Sequence, residues 1–231
     1  MNIAEKVLQL KQDFDNVYAA GQAAGGVDTL PFLTQARFYS MNDFGKSEVE
    51  LNLDRVTGLS SLFNESASDD ETRINKTVEH LTINSGVITE MWGSFNITNY
   101  SDTTLKRITL NLDTSKCTSY FQTFRGRKAL EIIDGNAFDF SSVPNASGIN
   151  NPFMMCVNLA EFRVVANTIK YSLIISSCDK LSADTRQSII DGLADLTGST
   201  AQTLTLHATV GGKLTDEQKA TITAKNWTLV Y

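Results

Sequence analysis

Proline, histidine and cysteine are all scarce in this 231-residue sequence, and each scarcity excludes something. Three Pro beside 42% hydrophobic residues and twelve Phe leave no room for an extended low-complexity chain, and supply enough apolar surface to offset the entropy of ordering. Two His, His80 and His207, are a poor supply for a metal centre or an acid–base pair. Cys117, Cys156 and Cys178 are odd in number and form no C-x-x-C pair, which argues against a disulfide framework or a zinc cage. Apolar runs stop at about five residues, well short of the roughly eighteen needed to cross a bilayer, so membrane insertion is not expected. The first 26 residues lack the basic start and apolar stretch of an export leader. An excess of basic residues is missing as well: the net charge is −6, which makes nucleic acid an unsuitable partner.

What is present begins with a stripe. Ile3, Val7, Leu10, Phe14 and Val17 recur at alternating steps of four and three, a seven-residue seam on an otherwise polar helix. Fewer than three heptads are marginal alone, so the stripe needs a partner: its own domain or a second copy of the chain. The Ala/Gly segment that follows, up to Gly26, has the composition of a linker and favours a detached stalk. The expectation is a coiled-coil handle over residues 1–26 that makes a homotrimer through these five residues, although two strands satisfy the same stripe.

From residue 40 onward the sequence is self-similar with a period of about 22 to 32 residues. Phe124, Phe153 and Ile175 each stand six residues before a Leu (Leu130, Leu159, Leu181) and four after Tyr120, Ile149 and Tyr171. Looser units lead from Leu59 and Phe63 to the alternating stretch Val78–Ile83, and from Met91 and Phe95 to Leu105–Leu112. Each unit is an anchored turn and a short strand, too small to bury its own apolar face, and stacking is the physical remedy.

The segments Phe153-Met154-Met155-Cys156-Val157-Asn158-Leu159-Ala160-Glu161-Phe162 and Ser176-Ser177-Cys178-Asp179-Lys180-Leu181 resemble the short units of BspA-type leucine-rich-repeat proteins. The resemblance covers roughly residues 50 to 182. It implies an α/β repeat fold, a leucine-rich-repeat-like solenoid over 27–181, and makes Cys156 and Cys178 buried ladder residues.

Beyond Leu181 the pattern lengthens. Ser182 opens a helix whose apolar face is Ile189, Ile190, Leu193 and Leu196, with Gly198 as its stop signal; a strand follows at Thr203–His207. Thr215 opens a second helix, and Trp227–Tyr231 a last strand. Residues 182–231 are expected to be the helix/strand cap of the array. The whole arrangement, with its ending Leu204–Thr215, is similar to proteins encoded by gut clostridial bacteria and their phages and prophages. That resemblance implies a phage tail-associated chain that assembles in the host cytoplasm and is carried on the virion.

Chemistry-bearing motifs are thin. No G-x-S-x-G, H-E-x-x-H, G-x-G-x-x-G or EF-hand pattern occurs. Val210-Gly211-Gly212-Lys213 lacks the spacing of a phosphate loop, and Asp69-Asp70-Glu71 lacks the glycine of a calcium loop. No catalytic residue, metal ligand or cofactor is assigned. The surface is rich in Asn, Ser and Thr, and Trp92, Tyr100, Phe121, Phe138 and Phe140 are candidate contacts for a polar ligand, each weighed against the commoner fate of an aromatic residue, the core. The expected function is therefore non-enzymatic adhesion. In that reading the chain is a receptor-binding protein of a phage tail fibre or baseplate tip that contacts other tail proteins and a glycan or protein of the bacterial surface; a bacterial surface adhesin and a virion scaffold protein are the alternatives.

Overall fold

The computed structural model describes residues 41–53, 56–63, 75–97 and 104–231. All of them lie in one of the two units of the chain, Gln35–Tyr231. The oligomerisation stripe (Ile3, Val7, Leu10, Phe14, Val17), Tyr100 and the acidic run at Asp69 lie outside the described residues.

Alternation makes the strands. β1 (Glu48–Asn52), β2 (His80–Val87), β3 (Arg107–Asp113) and β4 (Ile132–Gly135) put every second side chain inward, as in β3, where Ile108, Leu110 and Leu112 are buried and the residues between them face out. The four strands form one parallel sheet in the order β1-β2-β3-β4. The registers align Val49, Leu81, Ile108 and Ile133 in one buried row. A second parallel sheet joins β5 (Leu173–Ile175), β6 (Gln202–Leu206) and β7 (Trp227–Val230), with Leu173 beside Leu204 and Leu204 beside Leu229.

Parallel neighbours need crossovers. In the second sheet these are helical: α1 (Ala183–Gly192) before β6, then the single turn α2 (Ala208–Gly211) and α3 (Asp216–Ala224) before β7. Ser182 caps α1 by accepting from Thr185 N–H, and Thr215 and Gln218 cap α3 reciprocally. Helix α1 stops at Gly192, short of the expected Gly198, because Leu193 turns extended (φ −63°, ψ 126°) and Ala194 donates to Ile169 O.

In the first sheet the crossovers are turns that bond to one another. Leu59, Met91 and Tyr120 donate N–H to Glu90, Ser119 and Gly148 carbonyls, and Phe63, Phe95 and Phe124 donate to Ser94, Thr123 and Pro152. This holds four Phe rings in a file: Phe63 to Phe95 at 6.0 Å, Phe95 to Phe124 at 5.2 Å and Phe124 to Phe153 at 5.6 Å, the last two pairs within 4° of parallel. Burying each ring contributes about 2–3 kcal/mol, and each aromatic pair adds about 1 kcal/mol.

The expected solenoid is corrected by this architecture. Among the described residues the chain forms a compact α/β unit with two small parallel sheets, of four and three strands, and few helices. The ladder of strands ends at β4. Between β4 and β5 the backbone is spent on turns, and pairing falls to isolated bridges, Ile132 with Glu161 and Phe138 with Val164. Residues 182–231 supply α1, α2, α3 and two of the three strands of the second sheet.

Candidate functional site: the polar face of the first sheet

The inward positions of β1–β4 are spent on the core, so the alternate positions form the outer face. They fall into three rows. Glu48, His80, Arg107 and Ile132 make the first; Glu50, Thr82, Thr109 and Asp134 the second; Asn52, Asn84 and Asn111 the third. In a parallel sheet the register puts each side chain beside its row neighbour, about 4.8 Å away, and short polar groups at that spacing bond directly.

Two networks result. One centres on the third row and reaches into the second: Asn84 Nδ2 donates to Glu50 Oε1 (2.6 Å) and Asn52 Oδ1 (2.7 Å), and Asn84 Oδ1 accepts from Asn111 Nδ2 at 2.8 Å. The other network crosses the first two rows. Thr109 Oγ1 donates to Asp134 Oδ1 (2.6 Å) and lies 2.9 Å from His80 Nε2. Because the hydroxyl hydrogen is committed to the carboxylate, the partner of Thr109 Oγ1 at this distance is an Nε2–H donor. The second oxygen of Asp134 accepts from Arg107 Nε at 2.9 Å and from its terminal nitrogen. Partial burial pushes the Asp134 carboxyl up, but the hydrogen bonds from Arg107 and Thr109 and the guanidinium charge outweigh it, leaving its pKa below the ordinary value.

In a hydrolytic triad the imidazole takes a proton from the hydroxyl. Here the order is reversed: the imidazole donates to the hydroxyl, and the hydroxyl to the carboxylate, so Thr109 is not activated for attack. Among the described residues no three His, Cys, Asp or Glu side chains gather to hold a metal ion.

Beyond the ends of β3 and β4 lies an open hollow of about 420 Å³ lined by Leu112, Asp113, Asn136 and Asp139 among others. Its carboxylates close local turns: Asp113 accepts from Ser115 N–H, which lowers its pKa, and Asp139 from Ser141 N–H, both at 2.8 Å.

The aromatic candidates separate sharply. Phe138 and Phe140 are each 2% exposed and belong to the core, packed on Tyr120. Trp92 is 49% exposed and stacks on half-buried Phe121, with centroids 6.3 Å apart and planes 18° from parallel. Of the histidines, His80 joins the polar face, while His207 caps α2 through Nδ1. Gly211 of the discounted phosphate-loop segment packs so closely on the Tyr231 ring that a Cβ there has no room.

Glu50, Asn84, Arg107, Thr109, Asn111 and Asp134 were not among the residues singled out from sequence. The alternation of Val78–Ile83 and Leu105–Leu112 marked the outward positions in two strands, but only the register shows which of them meet.

No family model matches the sequence, and neither a curated protein nor a solved structure matches it.

Proposed function

We propose that this chain is a non-enzymatic adhesion protein that binds a receptor on a bacterial surface through the polar face of β1–β4. The observation that carries this reading is the pre-bonded array of Glu50, Asn84, Asn111, Arg107, Thr109 and Asp134 across neighbouring strands. Side chains held by one another lose little freedom when a ligand arrives, so the face is preorganised. Its second and third rows are polar throughout, which suits recognition by hydrogen bonds.

The setting favoured by the sequence resemblance is a phage tail fibre or baseplate tip, with the receptor-binding body carried as a homotrimer on the Ile3–Val17 helix. Three copies on one stalk raise the effective concentration of weak sites without any new contact.

Two measurements test the proposal. Labelled protein is titrated onto whole cells of gut clostridial species, alongside an Asn84→Ala/Arg107→Ala variant. The expected result is saturable binding that weakens about tenfold or more in a variant of unchanged secondary structure; equal binding, or none by the native chain, sinks the reading. Light scattering on a sizing column then compares the full chain with one beginning at Val27. A threefold mass that falls to a single copy supports the stalk, and a full-length monomer removes it.

A further inference from the structure

We propose that the turn surface carrying Trp92 and Phe121 is a carbohydrate site, distinct from the polar sheet face, in which a sugar ring lies on the aromatic pair and the rest of a short oligosaccharide runs past Asn150. The backbone sets the geometry. In successive turns Ser60, Trp92, Phe121 and Asn150 occupy equivalent places, because Ser61 N–H donates to Trp92 O (2.8 Å), Gly93 N–H to Phe121 O (2.9 Å) and Gln122 N–H to Asn150 O (3.2 Å). The residue after each is left-handed: Ser61, Gly93, Gln122 and Asn151 have φ between 51° and 59°. Trp92 therefore stands on a fixed rung, already stacked, with half its surface in water.

The rim decides the ligand class. On one side Glu90 Oε2 accepts from Ser60 Oγ at 3.3 Å. On the other stand the amides of Asn150 and Gln122, the latter accepting from Arg125 at 3.1 Å. A single flat apolar platform bordered by a carboxylate and amides matches a molecule with one C–H face and a rim of hydroxyls, each both donor and acceptor. An apolar protein anchor would bury the Glu90 carboxylate and the amides while offering nothing to their remaining hydrogen-bonding capacity. A phosphate group would meet the Glu90 carboxylate and a protein of net charge −6, and the rim cation Arg125 already spends an N–H on Gln122.

The row is also long enough for more than one ring. Trp92 to Asn150 spans two rungs, ~10 Å at the ~4.8 Å spacing of parallel strands. Next to it is a hollow of about 130 Å³ lined by Asn151, Met154, Ile174 and Ser176 among others, where Ile174 is 41% exposed.

Fluorescence is the natural readout, because the other tryptophan, Trp227, is 4% exposed. The full chain is titrated with chitotriose, maltotriose and mannotriose at millimolar concentrations. At least one is expected to change the tryptophan emission saturably and to protect it from acrylamide. Calorimetry is expected to show that binding weakens more than tenfold in Trp92→Ala and about threefold in Phe121→Ala, and stays unchanged in a variant of the exposed Lys213, Lys213→Ala. Saturation-transfer NMR on the native chain supplies a check that needs no variant: the sugar protons on one ring face are saturated most. Absence of saturable binding by all three sugars, or full binding by a folded Trp92→Ala protein, overturns the site. Cell binding and sugar binding are separate outcomes, so failure of the adhesion reading does not by itself remove this site.

Discussion

Arg127 is fully buried, and its Nε–H donates to Phe95 O at 2.6 Å, directly behind the file of Phe rings. Replacing it with Ala opens a cavity of nearly a whole side chain and strips Phe95 O of a charged donor. Losses of this kind cost about 3–5 kcal/mol, so Arg127→Ala is expected to lower the urea midpoint severely. The cysteines lie at the other chemical extreme. Cys156 Sγ donates to Phe124 O (3.0 Å), and burial pushes the Cys117 thiol up to about 11 and the Cys178 thiol to about 12. Thiolate, the reactive form, is thereby suppressed in a site that reagents cannot enter. Less than about a tenth of the thiol is expected to react with a disulfide reagent at pH 8 in the native protein, against all three in denaturant; fast reaction of the folded chain contradicts this burial. Asp134 carries the pH dependence of the polar face. Its folded pKa lies below the ordinary value, so the stabilisation it brings is present above the unfolded pKa near ~4 and is lost as pH falls through the folded value. After allowance for solvent screening of a half-exposed Arg107, Asp134→Asn is expected to cost about 0.5–1 kcal/mol at pH 7 and progressively less as the pH is lowered below the ordinary carboxylate value, followed by urea unfolding across that range.

At the scale of elements, helix α3 is the best test of local signals. Thr215 Oγ1 accepts from Gln218 N–H at 3.2 Å, and the Gln218 side chain accepts from Thr215 N–H at 3.0 Å. With both bonds lost, Thr215→Ala is expected to cost about 1 kcal/mol in thermal unfolding, while Thr215→Asp keeps a cap and most of the stability. This start was legible in the sequence, as were Ser182, the strand pattern of β2 and β3, and the anchor role of Phe124 and Phe153. All depend on residues close together in the chain. How far the strands propagate does not. The spacing from Phe124 to Phe153 resembles that from Phe95 to Phe124, yet strand pairing continues across one interval and lapses to single bridges across the next. Gly135 shows why the interval is special. It ends β4 with φ +90°, and its α-carbon lies so close to the Leu110 carbonyl that no Cβ fits. The backbone there turns away from extended geometry, and periodicity of side chains carries no record of that turn. The polar face was hidden for a related reason: Arg107 and Asp134 are 27 residues apart, and their pairing is a fact of register.

The two sheets share one interior: a single buried cluster runs from Met41 through Phe124 and Phe153 to Leu204 and Trp227. The sheets are not hydrogen-bonded into one ladder, so any coupling between them runs through this packing. Phe124 is the residue to perturb, since it touches Phe95, Phe138 and Phe153 in the turns beside the first sheet. Phe124→Ala removes those contacts and is expected to cost about 3–5 kcal/mol, or roughly 6–20 °C in a protein of this size. The reporter belongs at the opposite end. Trp227 lies in β7, is 4% exposed and donates Nε1–H to Ala194 O at 2.9 Å, so its emission follows the second sheet. In a Trp92→Phe background Trp227 is the only tryptophan left. If the core is one cooperative unit, Phe124→Ala shifts the Trp227 transition and the far-ultraviolet circular dichroism transition by the same amount, and the two stay coincident. Chains above about 150 residues often depart from this behaviour, which makes coincidence informative. A Trp227 transition that keeps its midpoint while the dichroism splits in two shows instead that the second sheet, with α1 and α3, folds independently, and that the shared cluster is contact without coupling.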